Sequence, residues 1–335
     1  MAILNPNFRQ LDMTLQFNNI NNNKITSTYR FVDLFAGIGG IRLGFQNIFK
    51  KRASFVFSSE IDKYAQNTYN LNFQEMPHGD ITKINEKDIP SHDIILAGFP
   101  CQAFSVAGHR KGFEDTRGTL FFDVLRIAKY HKPKVLFLEN VKGFVGHDKG
   151  NTFKVVKASL EELGYNVYTE ILNTKDFGIP QNRERIYIIA FLDEVDFKFP
   201  QPKEEELTIH SCLEDEIAEK YYYNGKPLYD KIKGDVVNPN SVYQWRRKYV
   251  RENKSKMCPT LTANMGTGGH NVPLIIDKKD IRKLTPRECA RFQGYDEDFI
   301  LTPKLAVSHL YKQVGNSVTV PVIQAIAKQI KKALS

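Results

Sequence analysis

Cysteine and tryptophan are scarce in this sequence: its 335 residues include four cysteines and one tryptophan. The cysteines stand far apart, at positions 101, 212, 258 and 289, and the sequence has no CxxC pair and no Cys/His spacing of a zinc site. Isolated cysteines favour free thiols in a reducing cytosol over a disulfide framework. We therefore expect a cytoplasmic protein that holds no metal ion.

Long apolar runs are also missing. No stretch approaches the ~20 apolar residues that span a bilayer, and the first residues lack the basic start and apolar core of a secretion signal. These absences argue against a membrane protein and against secretion. A chain of 335 residues can bury a full core, and we expect a monomer with one large domain and a smaller one.

Acidic residues are fewer than basic ones. Lys and Arg number 47 against 38 for Asp and Glu, which gives a net charge of +9. Such an excess suits a phosphate-binding face, although a merely solvated basic surface has the same composition. The positions of the charges along the chain decide between these two interpretations.

Short apolar runs alternate with helical patterns over the first two hundred residues. We interpret as buried strands the runs at 30–35, 54–58, 92–97 and 134–138, and further strands flank 181–191. Helical spacing of apolar residues follows Gly40 and Lys63 and recurs over 119–130 and 152–163. This alternation predicts a parallel-dominated α/β sheet whose ligands bind at the carboxyl ends of its strands.

The two ends of the chain and the part after Pro200 have a different character. Residues 1–29 are polar and rich in asparagine, which predicts a loosely ordered arm. Residues 201–285 are acidic at first, then tyrosine-rich, basic, and rich in Gly and Thr, without a helical stripe. We expect there a smaller domain that is mostly β or irregular, followed by an amphipathic helix over the last twenty residues.

Several residues with chemical potential stand just past the predicted strand ends and should share one crevice. The turn Gly37-x-Gly39-Gly40 lets a ligand approach a helix N-terminus closely, and Glu60 is placed to hold ribose hydroxyls. A nicotinamide cofactor fits this pattern as well, although the first glycine of GxGxxG is absent. Asp80 either faces an adenine amino group or is an ordinary turn residue.

Cys101 and Glu139 are the candidates for covalent and acid–base chemistry. Cys101 follows Pro100 at a strand end, and the basic residues 109–111 lie close in sequence; a reactive cysteine needs such a partly open, electropositive setting. Glu139 ends an apolar strand, where burial raises a carboxyl pKa towards the range in which it donates a proton near neutral pH. A buried inert thiol and a helix-capping acid are the alternatives.

Basic residues concentrate in two places. Arg183 and Arg185 alternate along a strand and so share one face, a pairing that suits a base carbonyl or a phosphate. Residues 244–256 hold six Lys or Arg, among them Arg246 and Arg247, interleaved with two aromatic residues. That mixture is typical of nucleic-acid contact, and the small residues at 260–270 suit a loop that enters a groove.

Six segments, in this order, resemble the motifs of the cytosine-5 DNA methyltransferase family, particularly its compact bacterial restriction-modification members. The similarity runs from about Tyr29 to the C-terminus. The matching segments are FVDLFAGIGG at 31–40, GFPCQAFS at 98–105, ENV at 139–141, QNRERIY at 181–187, LTPRECA at 284–290 and QVGNSV at 313–318.

The resemblance implies a methyltransferase that flips cytosine out of duplex DNA. Cys101 would add to C6, Glu139 would protonate N3, and Arg185 would hold O2, while Arg183 would support the nucleophile or a phosphate. The cofactor would be S-adenosylmethionine, with S-adenosylhomocysteine as product. The partners would be double-stranded DNA and a cognate restriction endonuclease that acts separately.

Carried over position by position, the family's pattern also implies binding residues and a fold. The cofactor site would contain Phe35, Gly37, Ile38, Gly40, Glu60, Ile61, Asp80, Ile81, Gly98, Pro100, Asn316 and Ser317. DNA would be contacted by Gln102, Ser105, Arg246, Arg247, Thr260, Gly268 and Gly269. The sheet would be the Rossmann-like one of S-adenosylmethionine-dependent methyltransferases, with helices on both faces.

The implied domain division is discontinuous, because the last helix would pack back into the large domain. Residues 30–200 and 305–335 would form the catalytic domain, 201–285 the target-recognition domain and 286–304 a hinge. The rival hypotheses are a transfer-RNA cytosine-5 methyltransferase, a catalytically inactive DNA-binding relative and a nicotinamide oxidoreductase. The first typically carries a Cys-Phe-Thr element that is missing from this sequence. The other two leave the catalytic residues or the basic segment unexplained.

Overall fold

A computed structural model describes residues 28–100, 120–203, 205, 207–267 and 270–335. Almost all of the predicted N-terminal arm lies outside these ranges. So do five predicted site residues: Cys101, Gln102, Ser105, Gly268 and Gly269. Within the described ranges, no helix is long and apolar enough to cross a membrane.

The first half of the chain alternates strands and helices, as its apolar pattern predicts. In chain order, the elements to residue 191 are β1 (Tyr29–Leu34), α1 (Gly40–Phe49), β2 (Ala53–Ser59), α2 (Lys63–Phe73), β3 (Ile94–Gly98), α3 (Leu120–His131), β4 (Val135–Val141), α4 (Asn151–Glu162), β5 (Asn166–Asn173), β6 (Gln181–Asn182) and β7 (Glu184–Phe191).

Shorter elements follow, and the chain ends in helices. They are α5 (Tyr229–Ile232), β8 (Tyr243–Trp245), β9 (Val250–Glu252), β10 (Cys258–Pro259), β11 (Val272–Ile276), β12 (Ile281–Lys283), α6 (Pro286–Arg291), α7 (Val307–Asn316) and α8 (Val320–Ala333). The predicted C-terminal amphipathic helix is therefore present as α8.

The large sheet has the strand order β2-β1-β3-β4-β7-β5. The pairs β1–β2, β1–β3 and β3–β4 are parallel, as predicted. Strand β7 runs antiparallel to both β4 and β5, so the sheet is mixed at this edge. Antiparallel neighbours need no crossover helix, and the chain passes from β5 to β7 with only a short helical turn and β6 between them.

Helices cover both faces of this sheet, because successive side chains of a strand point to opposite faces. Val32 packs in the apolar cluster beneath α3 and α4, whereas Phe31 packs in the cluster beneath α1 and α8. At Gly44 of α1, a Cβ atom would lie only 2.5 Å from a side-chain atom of Ile323 in α8. The predicted fold class, a Rossmann-like sheet with a smaller β part, is confirmed.

The smaller sheet is antiparallel and has the order β12-β11-β8-β9. It covers an apolar cluster of its own, to which Trp245 and Leu274 belong. Strand β10 does not join this sheet but pairs in parallel with β6. The chain between residues 258 and 267 is thereby attached to the part of the molecule that holds the large sheet.

Candidate functional site

One cavity of about 430 Å³ opens at the carboxyl ends of β1, β2 and β3. Every described residue of the predicted cofactor and catalytic sets lines it: Phe35, Gly37, Ile38, Gly40, Glu60, Ile61, Asp80, Ile81, Gly98, Pro100, Glu139, Arg183, Arg185, Asn316 and Ser317. A sheet edge thus brings together residues that are up to 282 positions apart in sequence.

The glycine turn after β1 is shaped by left-handed backbone. Gly37 and Gly39 have φ values of 55° and 87°, which L side chains rarely adopt. The amide of Gly37 donates to one carboxylate oxygen of Glu60 over 2.7 Å, and the amide of Asp62 donates to the other over 2.8 Å. Two backbone amides therefore hold the Glu60 carboxylate at the turn, and Glu60 lines the cavity.

Gly40, the first residue of α1, is glycine for a different reason. A Cβ atom there would overlap the Tyr295 hydroxyl and would lie 2.8 Å from Oγ of Ser317. The hydroxyls of Tyr295 and Ser317 are themselves hydrogen-bonded. The absence of a side chain at Gly40 thus lets the segment after α7 approach the cavity wall.

Ile61 and Asp80 both line the cavity, the first with an exposed apolar side chain and the second with a hydrogen-bonded carboxylate. The Ile61 side chain is 70% exposed, although it is apolar. The Asp80 carboxylate accepts from both the amide and the hydroxyl of Thr82, and these hydrogen bonds lower its pKa. Asp80 thus lies in a turn and lines the cavity, and its expected contact with an adenine amino group stays a prediction.

Glu139 is the buried acid of the site. It lies inside β4, two residues before the strand ends at Val141. The strand therefore extends beyond the apolar run 135–138 from which it was predicted. Its carboxylate pairs with Nε of Arg185 over 3.0 Å. Burial raises the pKa of Glu139, and the positive charges of Arg185 and Arg183 oppose that shift without cancelling it.

Arg183 lies between β6 and β7, and its side chain is held by backbone carbonyls. One terminal nitrogen donates to the carbonyl of Leu261 over 2.8 Å, and the other donates to the carbonyl of Ser317. Burial lowers its pKa to about 9, and the neighbouring charge of Arg185 adds to this effect. The expected role of Arg183 towards the nucleophile or a phosphate stays a prediction.

Sequence reasoning missed several residues that line this cavity, and three of them are informative. Asn140 donates to the carbonyl of Phe99 over 3.0 Å and so ties β4 to the segment that leads to Cys101. Lys312 and Gln313 line the cavity. Lys312 stands four residues before Asn316, one helical turn away, and this spacing is the signal that could have found it.

The described residues predicted to contact DNA lie outside the cavity. Arg246 and Arg247 lie at the turn between β8 and β9, where Arg247 has a φ of 67°. The Thr260 hydroxyl donates to the carbonyl of Asn182 over 2.8 Å. Trp245 is buried in the core of the small sheet, so only Tyr249 of the two interleaved aromatic residues is exposed.

Two proteins similar to this chain are named Type II methyltransferases. The chain is 53% identical over 315 residues to the Type II methyltransferase M.Bsp6I of Bacillus sp. (strain RFL6), covering 91% of this chain and 99% of that protein. It is 46% identical over 317 residues to the Type II methyltransferase M1.ScrFI of Lactococcus lactis subsp. cremoris, covering 93% and 80%.

A solved structure shares the fold at lower identity. The Dnmt2 methyltransferase of S. pombe superposes with a TM-score of 0.73 at 22% identity, covering 92% of this chain and 99% of that one. The sequence profile of C-5 cytosine-specific DNA methylases matches residues 29–332. Because this match spans nearly the whole chain, the protein belongs to the C-5 cytosine-specific DNA methylase family.

Proposed function

We propose that this enzyme is the modification methyltransferase of a restriction-modification system and methylates C5 of a cytosine within a short duplex sequence. The observation that carries the proposal is the buried Glu139–Arg185 pair, which opens into the same cavity as the Gly37 turn and Glu60. Relatives that are named Type II methyltransferases support the further proposal that an endonuclease acts separately on the same sequence.

The cavity fits S-adenosylmethionine by size and by chemistry. Its volume of about 430 Å³ lies within the usual range of small-molecule sites. Glu60 would hold the ribose hydroxyls, Asp80 would face the adenine amino group, and the exposed Ile61 side chain offers an apolar surface for the adenine ring. The cofactor, when bound, supplies an electrophilic methyl group.

The protein's own residues would prepare the cytosine to receive that group. The base must first leave the duplex, because C5 and C6 cannot be approached within the stack. The Cys101 thiolate would then add to C6, forming a carbon–sulfur bond and pushing electron density towards C5. Glu139 would protonate N3, and Arg185 would hold both the Glu139 carboxyl and the base carbonyl O2.

The remaining steps would restore aromaticity. After methylation, C5 carries both a methyl group and a proton, and this proton must pass to a base such as solvent. The electrons of the broken C–H bond then expel Cys101 from C6 as a thiolate. N3 returns its proton to Glu139, so the enzyme regains its starting protonation state.

The domain division stays a proposal, and two features support it. The small antiparallel sheet falls within residues 201–285, the proposed target-recognition domain, whereas α8 lies against α1 in the proposed catalytic domain. The proposed hinge, 286–304, contains α6, whose Glu288 is buried and bonded to Arg282 of β12.

A fluorinated substrate tests the mechanism most directly. The full chain is expressed in a host without cytosine methylation, and bisulfite sequencing of the host DNA identifies the methylated sequence. A duplex with 5-fluorocytosine at that position should then trap a covalent adduct, because fluorine cannot leave C5 as a proton does. Peptide mapping should place the adduct on Cys101.

The Cys101→Ala variant is the control for this experiment. It should form no adduct and methylate nothing, while its binding of S-adenosylhomocysteine remains within about threefold of wild type. An adduct or turnover with this variant would overturn the covalent mechanism. Methylation of transfer RNA in place of duplex DNA would overturn the proposed substrate.

A further inference from the structure

Helix α7 lies between the cofactor cavity and the segment 258–266, which we call the recognition segment. On one side, Lys312, Gln313 and Asn316 line the cavity. On the other side, Tyr311 packs against the recognition segment, and Gly315, which also lines the cavity, lies against the backbone of that segment. One helix therefore forms a wall of the cavity and a support for the segment that contains Thr260.

On the cavity side, α7 is fastened to α2. Lys312 Nζ lies 2.7 Å from a carboxylate oxygen of Asp62, the residue that caps the N-terminus of α2. The buried Thr68 hydroxyl donates to the amide oxygen of Gln313 over 3.0 Å. Asp62 also lines the cavity, so the start of α2 contacts both the cavity and α7.

On the other side, α7 and the recognition segment approach each other closely at two points. A Cβ atom at Gly315 would overlap the backbone of Thr262, and a Cβ atom at Gly266 would lie 2.6 Å from Cβ and Cδ2 of Tyr311. Two glycines, one on each partner, thus permit the close approach. Densely packed contacts of this kind transmit displacements instead of absorbing them.

Arg183 closes the junction at the end of α7. Its two terminal nitrogens bridge the carbonyl of Leu261, in the recognition segment, and the carbonyl of Ser317, directly after α7. The amide of Leu261 donates to the side chain of Gln181, two residues before Arg183. The recognition segment, the end of α7 and the strand before β7 are therefore joined by hydrogen bonds as well as by packing.

We propose that α7 couples cofactor binding to DNA binding, because one helix forms part of the cofactor cavity and holds the recognition segment through Gly315, Gly266 and Arg183. The inference rests on the proposed function, in that the cavity holds the cofactor and the segment faces DNA. Coupling between sites is a reciprocal free energy, so each ligand changes the affinity of the other by the same factor.

Gly266→Ala is the variant that tests this coupling. Its new methyl group would meet Tyr311 and displace the recognition segment from α7, at a site that is not part of the cofactor cavity. Gly234→Ala is the matched control, because a Cβ atom there meets nothing within 4 Å. Thr68→Val removes the bond to Gln313 from the cavity side and gives a second, nearly isosteric test.

The measured quantity is the ratio of duplex dissociation constants without and with saturating S-adenosylhomocysteine. The duplex is the sequence identified by bisulfite mapping. For wild type and Gly234→Ala we expect a ratio of at least about tenfold, within the usual range of coupling energies. For Gly266→Ala and Thr68→Val we expect about threefold or less. The dissociation constant of S-adenosylhomocysteine, measured without and with duplex, must give the same ratios.

The outcomes separate this inference from the proposed function. A wild-type protein that binds neither ligand would contradict the proposed function itself. Binding of both ligands with a wild-type ratio near one, or an undiminished ratio in Gly266→Ala, would overturn the coupling alone. An equal loss in Gly234→Ala would also overturn it. Circular dichroism checks that each variant is folded. If Gly266→Ala does not fold, the ratio measured for Thr68→Val decides the question.

Discussion

The chemistry proposed for Glu139 depends on two opposing effects on one carboxyl group. Burial disfavours its charged form and raises its pKa, whereas the guanidinium of Arg185 at 3.0 Å favours the charged form. Burial wins, so the group retains a proton at a higher pH than an exposed glutamate would. A proton donor that works near neutral pH needs this balance.

Glu139→Gln should lower kcat by about 10²- to 10⁴-fold, because the amide keeps the shape of the carboxyl group but cannot give its proton to N3. Cofactor affinity should be unchanged. Glu184→Gln is the control: Glu184 precedes Arg185 but pairs with Lys142, away from the cavity. Steady-state methylation of the mapped duplex measures both, and a Glu139→Gln enzyme with wild-type kcat would contradict the acid role.

The sequence predicts those site residues whose position depends on local structure. Glu60 and Glu139 could be found because each stands at or near the end of an apolar run. The contacts of Arg183 and Asn140 could not be found in this way. Arg183 bonds to Leu261, 78 positions away, and Asn140 bonds to Phe99, 41 positions away. Such pairings depend on the tertiary arrangement, on which periodicity carries no information.

At the scale of elements, the site depends on a turn, a helix start and a returning segment that meet without space between them. Gly40 begins α1, and the hydroxyls of Tyr295 and Ser317 occupy the place where its side chain would be. Overpacking at such a point costs about 1–3 kcal/mol. The cofactor cavity shares this wall.

Gly40→Ala should therefore weaken S-adenosylhomocysteine binding by about tenfold or more, since the segment that carries Ser317 must move away. Gly143→Ala is the control: a Cβ atom there meets nothing within 4 Å, and Gly143 does not line the cavity. Isothermal titration calorimetry gives both dissociation constants. Equal affinities for the two variants would show that crowding at Gly40 does not shape the cofactor site.

Comparing the predicted elements with the observed ones shows which elements the sequence can predict. The buried strands of the large sheet are continuous apolar runs and were predicted, but the antiparallel direction of β7 was not, because both directions bury the same residues. In the basic segment, Trp245 is a core residue of the small sheet. Alternation along a three-residue strand is too short to show which side is buried.

At the scale of the whole molecule, two buried titratable groups have opposite effects on how stability depends on pH. Asp33 accepts from the Tyr69 hydroxyl, and Arg42 lies nearby, yet burial raises the Asp33 pKa to about 7. His92 bonds to the carbonyl of Pro90, and burial, followed by the charges of His131 and Arg30, lowers its pKa to about 4. Neither group is part of the cofactor cavity.

The sign of each contribution follows from proton binding in the two states. Folded Asp33 binds its proton more tightly than unfolded Asp33, so its contribution to stability is lost as the pH rises from about 4 to about 7. Folded His92 binds its proton less tightly, so its contribution is lost as the pH falls from about 6.5 to about 4. Between about pH 4 and pH 6.5, the two contributions to the free energy of unfolding change in opposite directions and cancel in part.

Replacing either group alone should reveal how that group makes the free energy of unfolding depend on pH. Asp33→Asn should gain stability relative to wild type as the pH rises from 4 to 7, by at most about 4 kcal/mol, since a tenfold change in proton affinity is worth about 1.4 kcal/mol. His92→Asn should gain relative stability as the pH falls from 6.5 to 4, by at most about 3 kcal/mol. Urea unfolding across this range measures both differences, with the exposed Asp88→Asn as control. Variant curves that run parallel to the wild-type curve would contradict the assignment of these two groups as the opposing titrations.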